Sequence, residues 1–248
     1  LFSLPAIGRK ADDRKWLAAL LIAIFIFQHL LASKTGLLGT YLVLVLYVVM
    51  HWRTPRVRMA GWMLLFIPLA AWAIMPTFRN RLRFVLWDFQ HYSRGAYTEG
   101  LSDAPRVISV QAGWDTWKKN PLAGCGYGDL RREITEWYTR NTPALKDYEQ
   151  LLPSNEFILH GAAGGLMAFL LFFIAALGPF FVRGLRRSFA WISFHGIALM
   201  GFLYEIGLET QFGVFIYAFL GCWIYAIIAG SSTAKAGQHA AVAGVWRI

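Results

Sequence analysis

Charge is scarce in this sequence: Asp, Glu, Lys and Arg make up 15% of its 248 residues, against roughly a quarter in an ordinary soluble domain. Cysteine is scarcer, and Cys125 and Cys222 are too few and too far apart for a disulfide scaffold or a zinc site. The chain has no H-E-x-x-H cluster, no D-x-D motif, no internal repeat and no G-x-G-x-x-G, so the usual metal, nucleotide-sugar and dinucleotide signatures are missing. What is abundant is apolar: 57% of residues are hydrophobic and 16% aromatic, with mean hydropathy +0.45. A disordered chain is excluded by those numbers, and a membrane protein is what remains.

The apolar residues come in blocks that can be measured against a bilayer, which takes about 20 residues of helix to cross. Six blocks are legible: Trp16 to Ala32, Leu37 to about Trp52, Met59 to Met75, Phe157 to Val182, Phe189 to about Leu208, and Phe212 to Ala229. The expected fold is all-α, a polytopic transmembrane helical bundle of about six spans with a helical loop domain. Its expected divisions are 1–76 (N-terminal segment and three spans), 77–153 (large loop), 154–229 (three spans) and 230–248 (an Ala/Gly/Ser tail). Leu1 to Ala11 lacks an apolar stretch of signal-peptide type.

Orientation follows from Lys and Arg in the short connections, which favour the cytoplasm. Arg9, Lys10, Arg14 and Lys15, then Arg53, Arg56 and Arg58, then Arg183, Arg186 and Arg187 all fall on one side. Both termini are therefore expected in the cytoplasm and the long loop outside. Topology accounts for much of the net charge of +10, so nucleic acid is not an expected partner. Arg79, Arg81, Arg83 and Arg94 follow the third span; this run reads either as a contact with anionic lipid headgroups or as an electropositive entry for a phosphorylated substrate.

The region from Asp88 to Glu156 holds ten of the fourteen acidic residues. Two helices are predicted in it. Ser102-Asp103 offers an N-cap and Pro105 an early helical position, with Val107, Val110, Trp114 and Trp117 at helical spacing until Asn120-Pro121. The second opens at Asp129, with Leu130, Ile134 and Trp137 on one face. Between them, Gly124, Gly126 and Gly128 read either as a tight turn with positive φ or as exposed backbone N–H groups able to approach an anionic headgroup.

These residues carry a resemblance. Asp103-Ala104-Pro105-Arg106, Trp114, Trp117 and Asn120-Pro121-Leu122-Ala123-Gly124-Cys125-Gly126-Tyr127-Gly128 resemble the O-antigen ligase and polymerase superfamily, where an Arg-headed helix leads into N-P-L-x-G-x-G-x-G. Pro153-Ser154-Asn155-Glu156-Phe157 with Gly164-Gly165-Leu166 resembles that family's P-H-N-x-[FY] and later G-G-L, and Ser33-Lys34-Thr35-Gly36 resembles its S-R-[GST] turn. Glu205 to Gly213, with Glu209 and Gln211, resembles the end of its penultimate helix. Family members are typically longer, with ten or more spans, and this chain looks like the C-terminal half.

The resemblance implies a glycosyltransferase of the bacterial inner membrane, multi-pass, with its long loop in the periplasm. The donor would be a glycan on undecaprenyl pyrophosphate, the acceptor the lipid A core (ligase) or another lipid-linked glycan (polymerase), with membrane lipids around it and neither cofactor nor metal. Family arginines hold the pyrophosphate, and a histidine activates the acceptor hydroxyl. Carried across, Arg106 matches the loop arginine, and Lys34 stands at the turn arginine with the charge but not the planar fork. The Gly124, Gly126 and Gly128 backbone would assist.

Ser154 occupies the histidine position, and serine is no base near neutral pH. Glu156 and His160 are the nearby substitutes, with Asn155 orienting. A helix starting near Asn155 puts His160 roughly 7 Å along it. The plainer reading of His160, His29 and His195 is hydrogen bonding between packed helices, against the functional suspicion that attaches to intramembrane ionisable groups. Glu205 and Glu209, near the outer end of the fifth span, fit a structural role or substrate contact. A non-catalytic lipid-linked-glycan binding protein or a transporter is the rival class.

Overall fold

A computed structural model describes residues 11–93, 103–143, 145, 147 and 150–245. Among them every regular element is a helix: α1 (Ala11–Leu31), α2 (Lys34–Met50), α3 (Pro55–Ile74), α4 (Pro76–Ser93), α5 (Ala104–Lys119), α6 (Leu130–Asn141), α7 (Glu156–Leu177), α8 (Phe189–Tyr204) and α9 (Gln211–Val245), with short 3-10 turns at Gly178–Phe181 and Gly207–Glu209. The all-α expectation holds. Three segments are long and apolar enough to cross a membrane, Pro55–Ile74, Glu156–Phe181 and Gln211–Gly230. The other three expected spans are apolar helices of 10–17 residues, Lys15–Leu31, Lys34–Met50 and Phe189–Tyr204. At 1.5 Å per residue the 17 residues of α2 and the 16 of α8 reach about 25 Å, short of the roughly 30 Å hydrocarbon layer, whereas the full 21 residues of α1 reach about 31 Å. Large apolar side chains point outward all along these helices, as at Trp16, Phe66, Ile74, Leu171 and Phe212, the arrangement that lipid rather than water rewards.

The chain forms two compact units, one of residues 1–108 and 142–150, the other of 109–141 and 151–248. In the first, α1 packs on α2 and α4, and α3 on α2 and α4. Small residues and polar bonds join these helices, the devices that work where lipid offers no hydrophobic drive. A Cβ on Gly61 would lie 2.8 Å from Val48 Cγ1, so α2 and α3 touch where Gly61 has no side chain. His29, 2% exposed, donates from Nδ1 to the Phe25 carbonyl at 2.8 Å. That leaves Nε2 to accept the Tyr41 hydroxyl at 2.9 Å. Thr40 Oγ1 donates to Gln28 Oε1 at 2.6 Å. The interhelical reading of His29 is the one the structure bears out.

Sequence patterning missed α4. Pro76 and the arginines read as loop, yet Phe78, Leu82, Val85 and Leu86 recur at helical spacing. The Arg79, Arg81 and Arg83 run is helical; Arg94, and the Ser102 cap expected before α5, lie outside the described residues.

In the second unit α7 packs on α8, and α8 on α9. Phe157, Ala176 and Phe202 form the core, with Phe169, Phe172, Leu199 and Tyr217 against them. His195 is buried and hydrogen-bonded to the Tyr217 hydroxyl at 3.1 Å, joining α8 to α9. The predicted α5 and α6 are both present, and they form a hairpin closed by Lys119 on Glu133 at 2.8 Å and Trp137 Nε1 on Asp115 at 3.2 Å. Tyr138, fully buried, donates to the Leu151 carbonyl at 3.3 Å, and burial pushes its phenol up to about 12. Helix α9 continues to Val245, well past Ala229, where the apolar block ends.

Helix α7 is not the single rod its apolar run suggests. Gly165 has φ 67° and ψ −160°, a conformation that only glycine adopts readily. The break exposes the carbonyls of Ala162 and Ala163, which accept N–H groups from Cys125 at 2.9 Å and Gly126 at 2.8 Å; the Leu166 N–H donates to the Pro121 carbonyl at 2.9 Å. Non-helical backbone at the level of a membrane-spanning helix is tolerated only when its polar groups are satisfied, and these three bonds satisfy them. The approach leaves no room for side chains: a Cβ on Gly165 would lie 2.1 Å from the Leu122 carbonyl oxygen, and one on Gly124 2.5 Å from that of Ala163.

Candidate functional site

The break in α7 and the head of that helix build one polar cluster. Pro153 precedes Ser154 and Asn155, and Asn155 caps α7 with an extended backbone, its side chain accepting the Ile158 N–H at 3.0 Å. Its Nδ2 donates to the Leu203 carbonyl at 3.2 Å, so both ends of the amide hold structure together. Ser154 is buried; the Ser109 hydroxyl donates to its Oγ at 3.1 Å and accepts its N–H at 2.9 Å. Ser154 is thus a joint between α5 and α7.

Glu156 is the first residue of α7 and wholly buried. Its Oε1 accepts the Leu208 N–H at 2.7 Å, from the turn between α8 and α9. Its Oε2 is buried with no hydrogen-bond partner and lies 3.7 Å from His160 Nε2. One turn on, the His160 ring lies 4.4 Å from the Phe172 ring and 5.9 Å from the Tyr127 ring, centroid to centroid. His160 Nδ1 and the Tyr127 hydroxyl are 2.8 Å apart.

Tyr127 reaches this place because its ring lies on Gly164, where a Cβ would come 3.4 Å from Cε2. The phenol is pushed above its ordinary range by burial first, then by the negative charges of Glu209 and Glu156. It therefore stays protonated at neutral pH.

The glycine segment does something other than expected. Gly124 (φ 71°) and Gly126 (φ 93°) have the positive φ of a tight turn. The amides of Gly124, Cys125 and Gly126 are committed to the carbonyls of Asn120, Ala162 and Ala163. They make the joint with α7 rather than an open cradle for an anion, because a broken helix needs donors for its freed carbonyls. Gly128 has open space around its Cα. The Cys125 thiol is pushed up, mainly by burial, which leaves it an unreactive protonated group.

A second cluster belongs to the other unit. Lys34 opens α2 and is paired with Asp103, and Arg106 Nη1 lies 3.8 Å from the other Asp103 oxygen. Asp103 is held by its own N–H on Asp88 Oδ2 at 2.9 Å, and its carbonyl accepts the Val107 N–H at 3.1 Å as α5 begins. The two cations singled out from the sequence meet on one carboxylate. Pairing of residues 69 apart has no local sequence signal, and Asp103 was legible only as a helix cap.

Sequence reasoning also gave Tyr127 no role, since its contact is 33 residues distant; Glu156 and His160, four apart, were legible as neighbours on one helix face. Among the described residues no group of three His, Cys, Asp or Glu side chains is placed to hold a metal ion.

Apolar helices dressed outwardly in Leu, Phe, Ile and Trp, with their polar groups gathered where one helix breaks, are the construction of a helical membrane protein. Its family is more specific: the O-antigen ligase model matches residues 17–173, more than half of the chain, and the protein belongs to that family, glycosyltransferases of the ligase and polymerase type. The match takes in both polar clusters and ends within α7. No curated protein matches the chain.

Proposed function

We propose that this protein moves a glycan from undecaprenyl pyrophosphate to an acceptor hydroxyl at the periplasmic face of a bacterial inner membrane, the acceptor being the lipid A core or, in a polymerase, another lipid-linked glycan. The observation that carries this reading is the buried Glu156 carboxylate whose Oε2 has no hydrogen-bond partner and faces His160. A buried unpaired carboxylate oxygen costs about 1–3 kcal/mol or more, and the cation that would satisfy it is the imidazolium formed when His160 accepts a proton. His160 is then the base and Glu156 its charge partner, in place of the family histidine whose position Ser154 fills.

Asn155 orients the pair by capping α7, and Ser154 braces it. Arg106 and Lys34 are the proposed pyrophosphate ligands, with Asp103 as their counter-ion while the donor is absent. Two phosphates carry more negative charge than one carboxylate and accept the guanidinium fork bidentately, so donor binding displaces Asp103 from Arg106. The Ser154 position favours one alternative, a protein that binds the lipid-linked glycan without transferring it.

The test is glycan transfer in proteoliposomes from a purified undecaprenyl-pyrophosphate donor. His160→Gln is expected to lower kcat by about 10²- to 10⁴-fold, and Arg106→Ala to raise the donor KM. Donor binding by the wild type with no transfer to either acceptor would replace this reading with the binding protein.

A further inference from the structure

Both ring nitrogens of His160 face protein groups. Its Nε2 faces Glu156 Oε2 at 3.7 Å, and its Nδ1 is 2.8 Å from the Tyr127 hydroxyl. A carboxylate oxygen on the Nε2 side favours the tautomer with the proton on Nε2, and Nδ1 then accepts the Tyr127 O–H. The ring is enclosed as well: the His160 side chain is 18% exposed, whereas Tyr127 is 57% exposed. Of the two groups, Tyr127 presents the larger surface to solvent.

We infer that Tyr127 is the group that touches the acceptor, relaying its proton to His160. This rests on the transferase reading above and names the atom through which that reaction begins. The acceptor O–H bond breaks and its proton goes to Tyr127 Oη, while the phenol's own proton passes to His160 Nδ1. The acceptor oxygen bonds to the anomeric carbon of the donor sugar as the bond from that carbon to the pyrophosphate oxygen breaks, and the electron pair leaves with the pyrophosphate. Glu156 faces the resulting imidazolium, and the proton returns to solvent by the same phenol.

Three features of the fold serve this geometry. The Tyr127 ring comes close to α7 at Gly164. The Cys125 and Gly126 amides tie the loop that carries Tyr127 to the broken helix. Phe172 packs on the His160 ring at a centroid distance of 4.4 Å, so turning the imidazole would give up this contact as well as the one to Tyr127. The raised phenol pKa, from burial and the charges of Glu209 and Glu156, keeps the relay proton in place at neutral pH.

The experiment compares wild type, Tyr127→Phe, His160→Gln and the double variant in proteoliposomes, with thermal unfolding recorded for each. Tyr127→Phe keeps the ring on Gly164 and removes only the hydroxyl. The relay predicts a kcat loss of about 10²-fold or more with donor and acceptor KM within about twofold and an unchanged unfolding temperature. Because the two residues act in series, the double variant is expected to lose no more than the weaker single variant.

Wild-type kcat in Tyr127→Phe would overturn the relay and leave His160 as a direct base. A rise in acceptor KM at constant kcat would overturn it in favour of a sugar-stacking surface. Losses that multiply in the double variant would show independent roles and overturn it too. Absence of transfer by the wild type would remove the transferase reading itself, and the relay with it.

Discussion

The two polar clusters are built from the same kinds of charged group and end in opposite electrostatic conditions. Around Asp103, the two cations Lys34 and Arg106 share one carboxylate, partly open to solvent. Around Glu156, the carboxylate is fully buried, one oxygen lacks a hydrogen bond, and a second acid, Glu209, acts electrostatically on the same Tyr127 phenol. Partly exposed ion pairs contribute about 1 kcal/mol or less; a buried unpaired acid detracts by more than that. A chain can keep the first arrangement for structure alone. The second opposes folding, and the proposed transfer gives it a use.

That contrast depends on the joint that holds the head of α7 in place, and breaking the joint has the largest expected effect. Gly165→Ala puts a Cβ 2.1 Å from the Leu122 carbonyl oxygen at a residue with φ 67°. Backbone oxygen cannot yield as a side chain can. Overpacking of about 1–3 kcal/mol adds to a further penalty of about 1–3 kcal/mol for a side chain in this glycine-only backbone region, so loss of folded protein is expected, read by detergent-extracted yield and unfolding temperature. Gly128→Ala, with open space around it, is the control expected to behave as wild type. Equal stability of the two variants would mean that the loop does not meet α7 as described.

The clusters themselves are separated by a pair of isosteric changes. Glu156→Gln replaces the buried carboxyl oxygen that has no hydrogen-bond partner, while the amide oxygen still accepts the Leu208 N–H. Transfer is expected to fall about 10²-fold while the unfolding temperature holds or rises. Asp103→Asn does the reverse. It keeps the helix start, since asparagine serves at that position, but it removes the shared counter-ion. Stability is expected to fall by about 1 kcal/mol, and the donor KM to decrease several-fold as the carboxylate no longer competes with the pyrophosphate for the two cations. If both variants lose stability alike, the Glu156 cluster is ordinary structure and the contrast fails.

Much of the architecture was legible from periodicity: six apolar blocks, α5 with its Asn120-Pro121 stop, and α6 with Leu130, Ile134 and Trp137 on its buried face. Hydropathy hid the break at Gly165, because an apolar run reads the same whether its backbone is helical or not. Within the candidate site, Glu156 and His160 announced themselves by helical spacing. The approach of Tyr127 to His160, and of Lys34 to Asp103, comes from tertiary packing across 33 and 69 residues, which no local pattern encodes.

The smallest expected effect belongs to the α5–α6 hairpin, where a charge is held for structure alone. The Lys119 ammonium donates to Glu133 at 2.8 Å, and that hydrogen bond holds the Glu133 carboxyl below its ordinary value of 4.5. A depressed carboxylate pKa stabilises the fold above the unfolded value, and that contribution is lost as pH falls through the folded value. Stability from this pair is therefore full at pH 6 and fades below about pH 4.5. Its exposed setting limits it to roughly 0.5 kcal/mol. Glu133→Gln is expected to lower the unfolding temperature slightly at pH 6 and not at all at pH 3, with transfer unaffected at either. An equal deficit at both pH values would show that Glu133 contributes packing rather than charge, and a loss of transfer would extend the functional cluster from the head of α7 into the hairpin.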